Sequence, residues 1–152
     1  MVYIHDMKEF TDIINDVASR CVAVRTLSTA RSITRHYDNA LRPVGLTITQ
    51  FTLLVTIAKV APESISQIAE LLFMERTSVS RNLSLLEKQG LIQRGHAKEA
   101  RKRPVALTPQ GQNTLREAYQ CWESAQSQLE NEFNRDELQN TMLSLRALRN
   151  IC

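Results

Sequence analysis

Glycine and proline are scarce in this chain, and their positions leave long segments that can remain helical. The sequence contains 4 Gly and 4 Pro among 152 residues, of which 43% are hydrophobic and 23% are charged. Glycine and proline disfavour helices more strongly than any other residue, so the segments between them are expected to be mainly α-helical. The length and composition are those of one globular domain, and we predict a single domain over residues 1–152.

Apolar residues recur at intervals of three and four along several of these segments, as they do on the buried face of an amphipathic helix. The first such helix is predicted from about Asp16 to Leu41, where a proline and a glycine follow. Two further apolar stripes lie within residues 115–133 and 138–148. Later helix starts are predicted where a capping sequence precedes a stripe: Thr47 with Gln50, Ser64 with Gln67, Thr108 with Pro109, and Asn134 with Glu137.

The order of elements within residues 64–107 is typical of a DNA-binding motif. A short helix is followed by a turn and by a second helix over residues 76–89. Two strand-like runs, 91–94 and 104–107, then flank a polar and basic tip. This is the chain order of a winged helix-turn-helix. The predicted fold is therefore mainly α with a small β-hairpin wing, and its winged helix-turn-helix part covers about residues 47–107.

Positive charge is concentrated in the same part of the chain. Between Arg76 and Arg103 there are eight basic and two acidic residues, whereas the rest of the chain carries 11 basic and 14 acidic residues. The formal net charge of +3 therefore separates into about +6 on this segment and about −3 elsewhere. Such an asymmetry is typical of a face that binds a polyanion. The alternative is a charged surface that serves only solubility.

The second helix of the motif has an outward face that can form hydrogen bonds throughout and carries no acidic residue. At about 100° per residue this face lies opposite the apolar position Val79, and Lys88 stands at its far end. An arginine can bind guanine through two hydrogen bonds, and small hydroxyl side chains let a helix approach a groove. We predict that this helix contacts double-stranded DNA through Thr77, Ser78, Ser80, Arg81 and Ser84 on and beside the face, and through Arg76 at its start.

Short motifs along most of the chain carry a more specific resemblance. They are Gly45-Leu46-Thr47 with Gln50-Phe51, Ile68-Ala69-Glu70, Thr77-Ser78-Val79-Ser80-Arg81, Leu86-Glu87-Lys88-Gln89-Gly90-Leu91-Ile92, and Leu107-Thr108 with Gly111. In register from about Val17 to the C-terminal helices, they resemble the MarR family of transcriptional regulators. The resemblance implies that the helix over residues 76–89 enters the major groove of DNA.

The same resemblance implies roles for the wing and for the two ends of the chain. The family carries Asp-x-Arg at the tip of the wing, where this sequence has Glu99-Ala100-Arg101. Arg101 therefore inherits a minor-groove contact, and Lys102 and Arg103 beside it can meet phosphates. Family members are homodimers in which the first helix and the last two helices interlock. This implies dimerisation helices within about residues 6–45 and 108–152, and an inverted-repeat operator.

The signal that such a regulator would sense has two candidate forms. Many family members bind small aromatic or carboxylate effectors between their dimerisation and DNA-binding parts, whereas others sense oxidants through a cysteine near the start of the first helix. Cys21 lies in that region, but only Tyr37 accompanies it in this helix, and the oxidant-sensing members surround their thiol with more than one tyrosine. We predict a repressor released by a small effector, with redox sensing at Cys21 as the alternative.

Other classes of function find little support in the sequence. The three cysteines and three histidines are scattered without metal-ligand spacing, so no metal or cofactor is predicted. No phosphate-binding glycine loop, GxSxG or HExxH motif occurs, so no enzyme is predicted. The apolar run at residues 51–60 is too short to span a bilayer, and the N-terminus lacks secretion features, which predicts a cytoplasmic protein. A winged-helix module that docks an acidic protein is the remaining alternative.

Overall fold

The computed structural model describes residues 2–95 and 104–151, with side chains from residue 9 onward. Within these residues the chain is mainly helical with one antiparallel hairpin, which confirms the predicted fold class. The elements are α1 Val2–Arg20, α2 Val22–Leu41, a 3-10 turn Arg42–Val44, α3 Ile48–Val60, α4 Ile65–Leu72, α5 Arg76–Lys88, β1 Ile92–Arg94, β2 Val105–Leu107, α6 Pro109–Glu132 and α7 Arg135–Ile151. The chain divides into two compact units, Met1–His36 and Tyr37–Cys152.

The first unit holds α1 and most of α2. The predicted helix start at about Asp16 is wrong, because α1 already begins at Val2. No glycine or proline precedes Asp16, and the apolar spacing that includes Phe10 and Val17 extends the helical pattern toward the N-terminus. Helical hydrogen bonding continues across the break at Cys21, whose N–H donates to the Val17 carbonyl at 3.0 Å. Apolar side chains of this unit stay exposed, with Phe10 at 64% of its full accessible surface.

The second unit has one apolar core, built mainly from α3, α4, α5, the hairpin and the first half of α6. Its helices begin where capping sequences predict them. Thr47 Oγ1 accepts from the Gln50 N–H at 3.2 Å, while Gln50 Oε1 accepts from the Thr47 N–H at 3.0 Å, so both bonds of a capping box are present at α3. Side chains with almost no exposed surface include Leu41, Leu53, Leu54, Ile57, Ile68, Val79, Leu83, Leu86 and Ala118.

The hairpin is joined to the rest of this core at both of its strands. The two strands pair with Ile92 opposite Leu107 and with Arg94 opposite Val105. The Val105 N–H donates to the Pro62 carbonyl at 3.1 Å, and this hydrogen bond links β2 to the loop between α3 and α4. The predicted strands are thus confirmed over residues 92–94 and 105–107.

The C-terminal helix α7 starts at a second complete capping box and then exposes its apolar face. Asn134 Oδ1 accepts from the Glu137 N–H at 2.9 Å, and Glu137 Oε2 accepts from the Asn134 N–H at 3.0 Å. Met142, Leu145 and Leu148 are exposed along α7. Across residues 2–95 and 104–151 no single helix is long and apolar enough to cross a membrane, although the bent pair Val22–Val44 and Ile48–Val60 meets the length and composition criteria together.

Candidate nucleic-acid interface

Helix α5 is fixed in the second unit by an apolar face that points into the core. Val79, Leu83 and Leu86 are all fully buried and recur at the three- and four-residue spacing of a helix. The preceding turn ends α4 at Phe73, which has a left-handed φ of 53° and whose N–H bonds back to the Ala69 and Glu70 carbonyls. At the other end, Gly90 takes a φ of 72°, as expected for the residue that follows a helix. The side of α5 opposite this apolar face is therefore presented outward.

The outward side carries most of the residues that the sequence predicts to bind DNA. Arg76, Thr77, Arg81 and Lys88 are exposed, whereas Ser78, Ser80 and Ser84 are half-buried. The only acidic residue in the α5 sequence is Glu87, whose carboxylate lies 3.2 Å from the guanidinium of Arg94. Its negative charge is thereby partly neutralised, so the outward side of α5 is positive and rich in hydroxyl groups.

Ser84 differs from the other predicted contacts because its hydroxyl is already engaged within the protein. Ser84 Oγ donates to the Ser80 carbonyl at 3.0 Å and accepts from Arg94 Nη2 at 3.1 Å. Arg94 belongs to β1, and its part in this cluster was not predicted from the sequence. No periodic signal could have found it, since the contact joins a strand to a helix rather than two positions of one helix.

The base of the wing lies beside α5, and its tip lies outside the described residues. Gly95 N–H donates to the Pro104 carbonyl at 2.8 Å, which holds the two ends of the hairpin together beyond the last strand pair. The predicted tip contacts, Arg101, Lys102 and Arg103, fall in residues 96–103 and stay predictions. The described part of the site is thus one helix face and the start of a hairpin.

Comparison with known proteins agrees with this architecture. Residues 44–103, which contain α3, α4, α5 and β1, match the model of the MarR family. In a solved complex with DNA, the M. tuberculosis transcriptional regulator MosR is 29% identical, with a TM-score of 0.75 over 88% of this chain and 98% of that chain. Over residues 44–103 the chain therefore resembles the MarR family of transcriptional regulators.

Two further MarR-like proteins extend the comparison. The transcriptional repressor CouR, solved bound to a 23-mer DNA duplex, has a TM-score of 0.76 at 23% identity and covers 88% of this chain and 95% of that one. YwoH of Bacillus subtilis (strain 168), an uncharacterised helix-turn-helix-type transcriptional regulator, is 28% identical over 88 residues. That match spans 58% of this chain and 64% of the length of YwoH. At its identity, the CouR structure supports the fold alone.

An apolar pocket lies on the second unit, between α3 and α6. It has a volume of about 300 Å³ and is lined by Phe51, Thr52, Val55, Tyr119 and Trp122. The rings of Phe51 and Trp122 are stacked, with their centroids 6.2 Å apart, and the ring centroid of Tyr119 lies 5.7 Å from that of Trp122. None of these lining side chains is basic, so the pocket suits an uncharged aromatic group better than a carboxylate.

Near the end of α6, Tyr37 joins the C-terminal part of α2 to that helix. Its phenol O–H donates to Gln126 Oε1 at 2.5 Å, and Gln126 Nε2 in turn donates to Glu130 at 2.8 Å. Burial, followed by the negative charge of Glu130, raises the pKa of the Tyr37 phenol above its ordinary value. The hydroxyl therefore stays protonated and keeps donating its hydrogen bond at neutral pH.

The cysteines and histidines do not assemble into a site in the part of the chain that is described. Cys21 lies between α1 and α2 and is half-buried, and Cys121 is half-buried on α6. Among residues whose side chains are described, no group of three or more His, Cys, Asp or Glu could hold a metal ion. Redox sensing at Cys21 stays a prediction.

Proposed function

We propose that this chain is a MarR-family regulator, which binds double-stranded DNA sequence-specifically as a cytoplasmic homodimer and acts as a repressor released by a small aromatic effector. The observation that carries the proposal is the outward side of α5. It combines exposed Arg81 and Lys88 with hydroxyl groups, and Arg76 is exposed at the start of the helix. The only acidic residue of α5, Glu87, is paired with Arg94. The role is one of binding rather than catalysis.

The chemistry of α5 fits the major groove of B-DNA. The groove is about 12 Å wide and admits one helix, and each base pair presents a distinct pattern of donors and acceptors there. Arg81 stands one helical turn beyond Thr77 on the same exposed side, so both can reach base edges when the helix enters the groove. MosR and CouR, whose folds resemble that of this chain, have both been solved bound to DNA, which supports DNA as the ligand.

A second copy of the chain is the proposed occupant of the exposed apolar surfaces. Phe10, Val17 and Leu27 are exposed in the first unit, and α6 and α7 border a groove of about 740 Å³ lined in part by Phe133 and Met142. Contiguous apolar patches of this kind are rarely left open in soluble monomers. Sedimentation should give about twice the chain mass of 17.3 kDa.

A variant pair tests the dimer directly. Leu145→Glu places a charge on the exposed apolar face of α7, whereas Asn140→Glu places the same charge on an exposed polar position of that helix. We expect Leu145→Glu to sediment as a monomer at micromolar concentration and to lose operator binding, and Asn140→Glu to remain dimeric. A wild-type protein that sediments as a monomer would contradict the dimer.

The DNA-binding proposal is tested by selecting duplexes from a randomised pool with the wild-type protein. The enriched sequence should be an inverted repeat with half-site centres about 34–36 Å apart. Arg81→Ala should weaken the free energy of binding to that duplex by roughly 1–3 kcal/mol and relax sequence preference, because it removes a major-groove contact.

Arg101→Ala should weaken binding to most sequences alike, since the minor groove distinguishes fewer base pairs. Lys102→Ala and Arg103→Ala should each lower the slope of log K against log salt by about one.

Two results would contradict the proposed binding of DNA. No enrichment of any sequence, together with unchanged affinity for duplex DNA in both Arg81→Ala and Arg101→Ala, would contradict the groove assignments. Binding to an acidic protein, without salt-dependent retention on duplex DNA, would favour the winged-helix docking module instead.

Trp122 is the only tryptophan in the chain, so its fluorescence reports directly on the proposed effector pocket. Uncharged aromatic compounds should change that fluorescence and release DNA at the same concentrations. Aliphatic carboxylates should do neither. Replacing Cys21, Cys121 and Cys152 together by Ser should leave this release intact. Release by peroxide from the wild type, absent in the triple variant, would establish the redox alternative.

A further inference from the structure

Arg94 connects the wing to helix α5 through two different groups. Its Nη2 donates to Ser84 Oγ at 3.1 Å, and its Nε lies 3.2 Å from Glu87 Oε2. The Arg94 side chain is only 18% exposed, although the Glu87 side chain is 44% exposed. One guanidinium thus contacts two successive turns of the same helix from the neighbouring strand.

The contact with Ser84 is directional because the single proton of that hydroxyl is already donated, which leaves its oxygen to accept from Arg94. Ser84 Oγ gives its proton to the Ser80 carbonyl at 3.0 Å and accepts the proton of Arg94. A hydroxyl has one proton to donate, so in this arrangement Ser84 cannot also donate to a base or a phosphate. Ser84 therefore holds Arg94 in place, although the sequence predicts it as a DNA contact.

Arg94 lies at the base of the hairpin, where its contact with α5 can affect the orientation of the wing. Arg94 is the last residue of β1, paired with Val105, and the next residue, Gly95, closes the base of the hairpin on Pro104. Beyond that base the chain continues to Arg101, the predicted minor-groove contact. The angle between β1 and α5 therefore sets the direction in which the hairpin leaves its base at Gly95 and Pro104.

We infer that Arg94 is a positioning residue, which sets the wing at a fixed angle to α5 through Ser84 and Glu87 without itself contacting DNA. The inference rests on the proposed DNA-binding function. Arginine suits this task because it can donate a hydrogen bond to Ser84 through Nη2 while its Nε, which makes no hydrogen bond, lies against the Glu87 carboxylate as an ion pair. The single ammonium of lysine keeps the charge but not that geometry.

The test compares Arg94→Lys, Arg94→Met and Ser84→Ala with Gln93→Ala, an exposed neighbour on the other face of β1. The probes are a duplex selected by the wild-type protein and a duplex of scrambled sequence, each titrated over a range of salt. Positioning predicts about a tenfold loss of affinity for the selected duplex in Arg94→Lys and a smaller loss in Ser84→Ala. The salt slope should not change in any of these variants, and Gln93→Ala should bind like the wild type.

A direct phosphate contact would give the opposite pattern. Arg94→Lys would then retain affinity, and Arg94→Met would lower the salt slope by about one, which would overturn the inference. A double-mutant cycle with Arg101→Ala provides a second criterion. If Arg94 acts by placing the tip, Arg101→Ala should cost clearly less in the Arg94→Lys background than in the wild type. Additive losses would also overturn it.

Hydrogen exchange without DNA separates failure of this inference from failure of the proposed function. The Gly95 and Val105 amides, which close the hairpin base and join it to Pro62, should exchange faster in Arg94→Lys than in Gln93→Ala. Unchanged exchange would refute the inference even if DNA binding is established. Faster exchange in a protein that binds no duplex would refute only the proposed function. Should Arg94→Lys fail to fold, Ser84→Ala serves in the same exchange comparison, since it removes one hydrogen bond and leaves Arg94 in place.

Discussion

Gly111→Ala should destabilise the protein, although it lies in the first turn of a helix where alanine is normally the better residue. Helix propensity alone favours alanine over glycine by about 0.8–1 kcal/mol in a helix interior. At this position, however, a Cβ atom would lie 1.9 Å from the Leu91 carbonyl oxygen and 2.8 Å from its carbon. Both are backbone atoms, so no change of rotamer can relieve the overlap. Helix α6 must move away from the segment that leads into β1.

The expected loss of stability follows from the contacts that this movement would break. Forcing an extra carbon into a packed site costs roughly 1–3 kcal/mol. The displacement also strains two hydrogen bonds that hold the start of α6 in place, from the Thr108 N–H to the Leu91 carbonyl at 3.0 Å and from Thr108 Oγ1 to the Gly90 carbonyl at 2.6 Å. Each contributes about 1 kcal/mol. When the gain in helix propensity is subtracted, the free energy of unfolding should fall by about 2–4 kcal/mol. This is a large part of the roughly 5–15 kcal/mol by which a typical domain is stable.

Urea unfolding followed by far-UV circular dichroism measures this loss, and Gly45→Ala is the matched control. Gly45 has a left-handed φ of 69°, but a Cβ there meets nothing within 4 Å. Its replacement should therefore cost only about 1–2 kcal/mol of backbone strain. Gly111→Ala should also reduce affinity for a selected duplex, since the displaced segment carries β1. A Gly111→Ala protein that unfolds at or above the urea midpoint of the wild type would refute the steric argument.

Two further substitutions test other contacts of the second unit. Tyr37→Phe should lower the free energy of unfolding by about 1 kcal/mol at pH 7 through loss of the bond to Gln126. Folding raises the pKa of Tyr37. Its contribution to the free energy of unfolding is therefore complete at pH values below the ordinary tyrosine pKa, and it is lost as the pH rises through the higher pKa of the folded protein. Urea midpoints of the wild type and Tyr37→Phe should thus converge above about pH 10, and a constant difference would contradict the assignment. Thr47→Ala should cost about 1 kcal/mol by removing the capping box of α3, whereas Thr56→Ala inside that helix should cost less.

Local sequence signals predicted the second unit well because its helix ends are fixed by nearby residues. The capping boxes at Thr47 and Asn134 involve side chains only three positions apart, so the sequence contains both partners of each bond. The end of α5 at Gly90 follows from the left-handed conformation that glycine adopts readily. These features need no knowledge of tertiary structure.

The parts that sequence reasoning missed depend on contacts between separate elements or on the absence of a local signal. The start of α1 carries no capping sequence, so the apolar pattern alone did not fix it. The engagement of Ser84 by Arg94 joins α5 to β1 and has no counterpart in helical periodicity. Periodicity placed Ser84 opposite Val79 on the helix, but it could not show that its hydroxyl meets Arg94 of β1.

Helix α6 connects the regions on which the proposed regulation depends. Its first turn packs on Leu91 at the wing base, its middle presents Trp122 to the apolar pocket, and its later turns bind Tyr37 through Gln126. At 1.5 Å per residue the 24 residues of α6 span about 36 Å, and no glycine or proline follows Gly111 within the helix. Such a helix moves largely as one body. Under the proposed function, an effector that displaces Trp122 therefore acts on the wing through the contact between Gly111 and Leu91, without touching the DNA-binding residues.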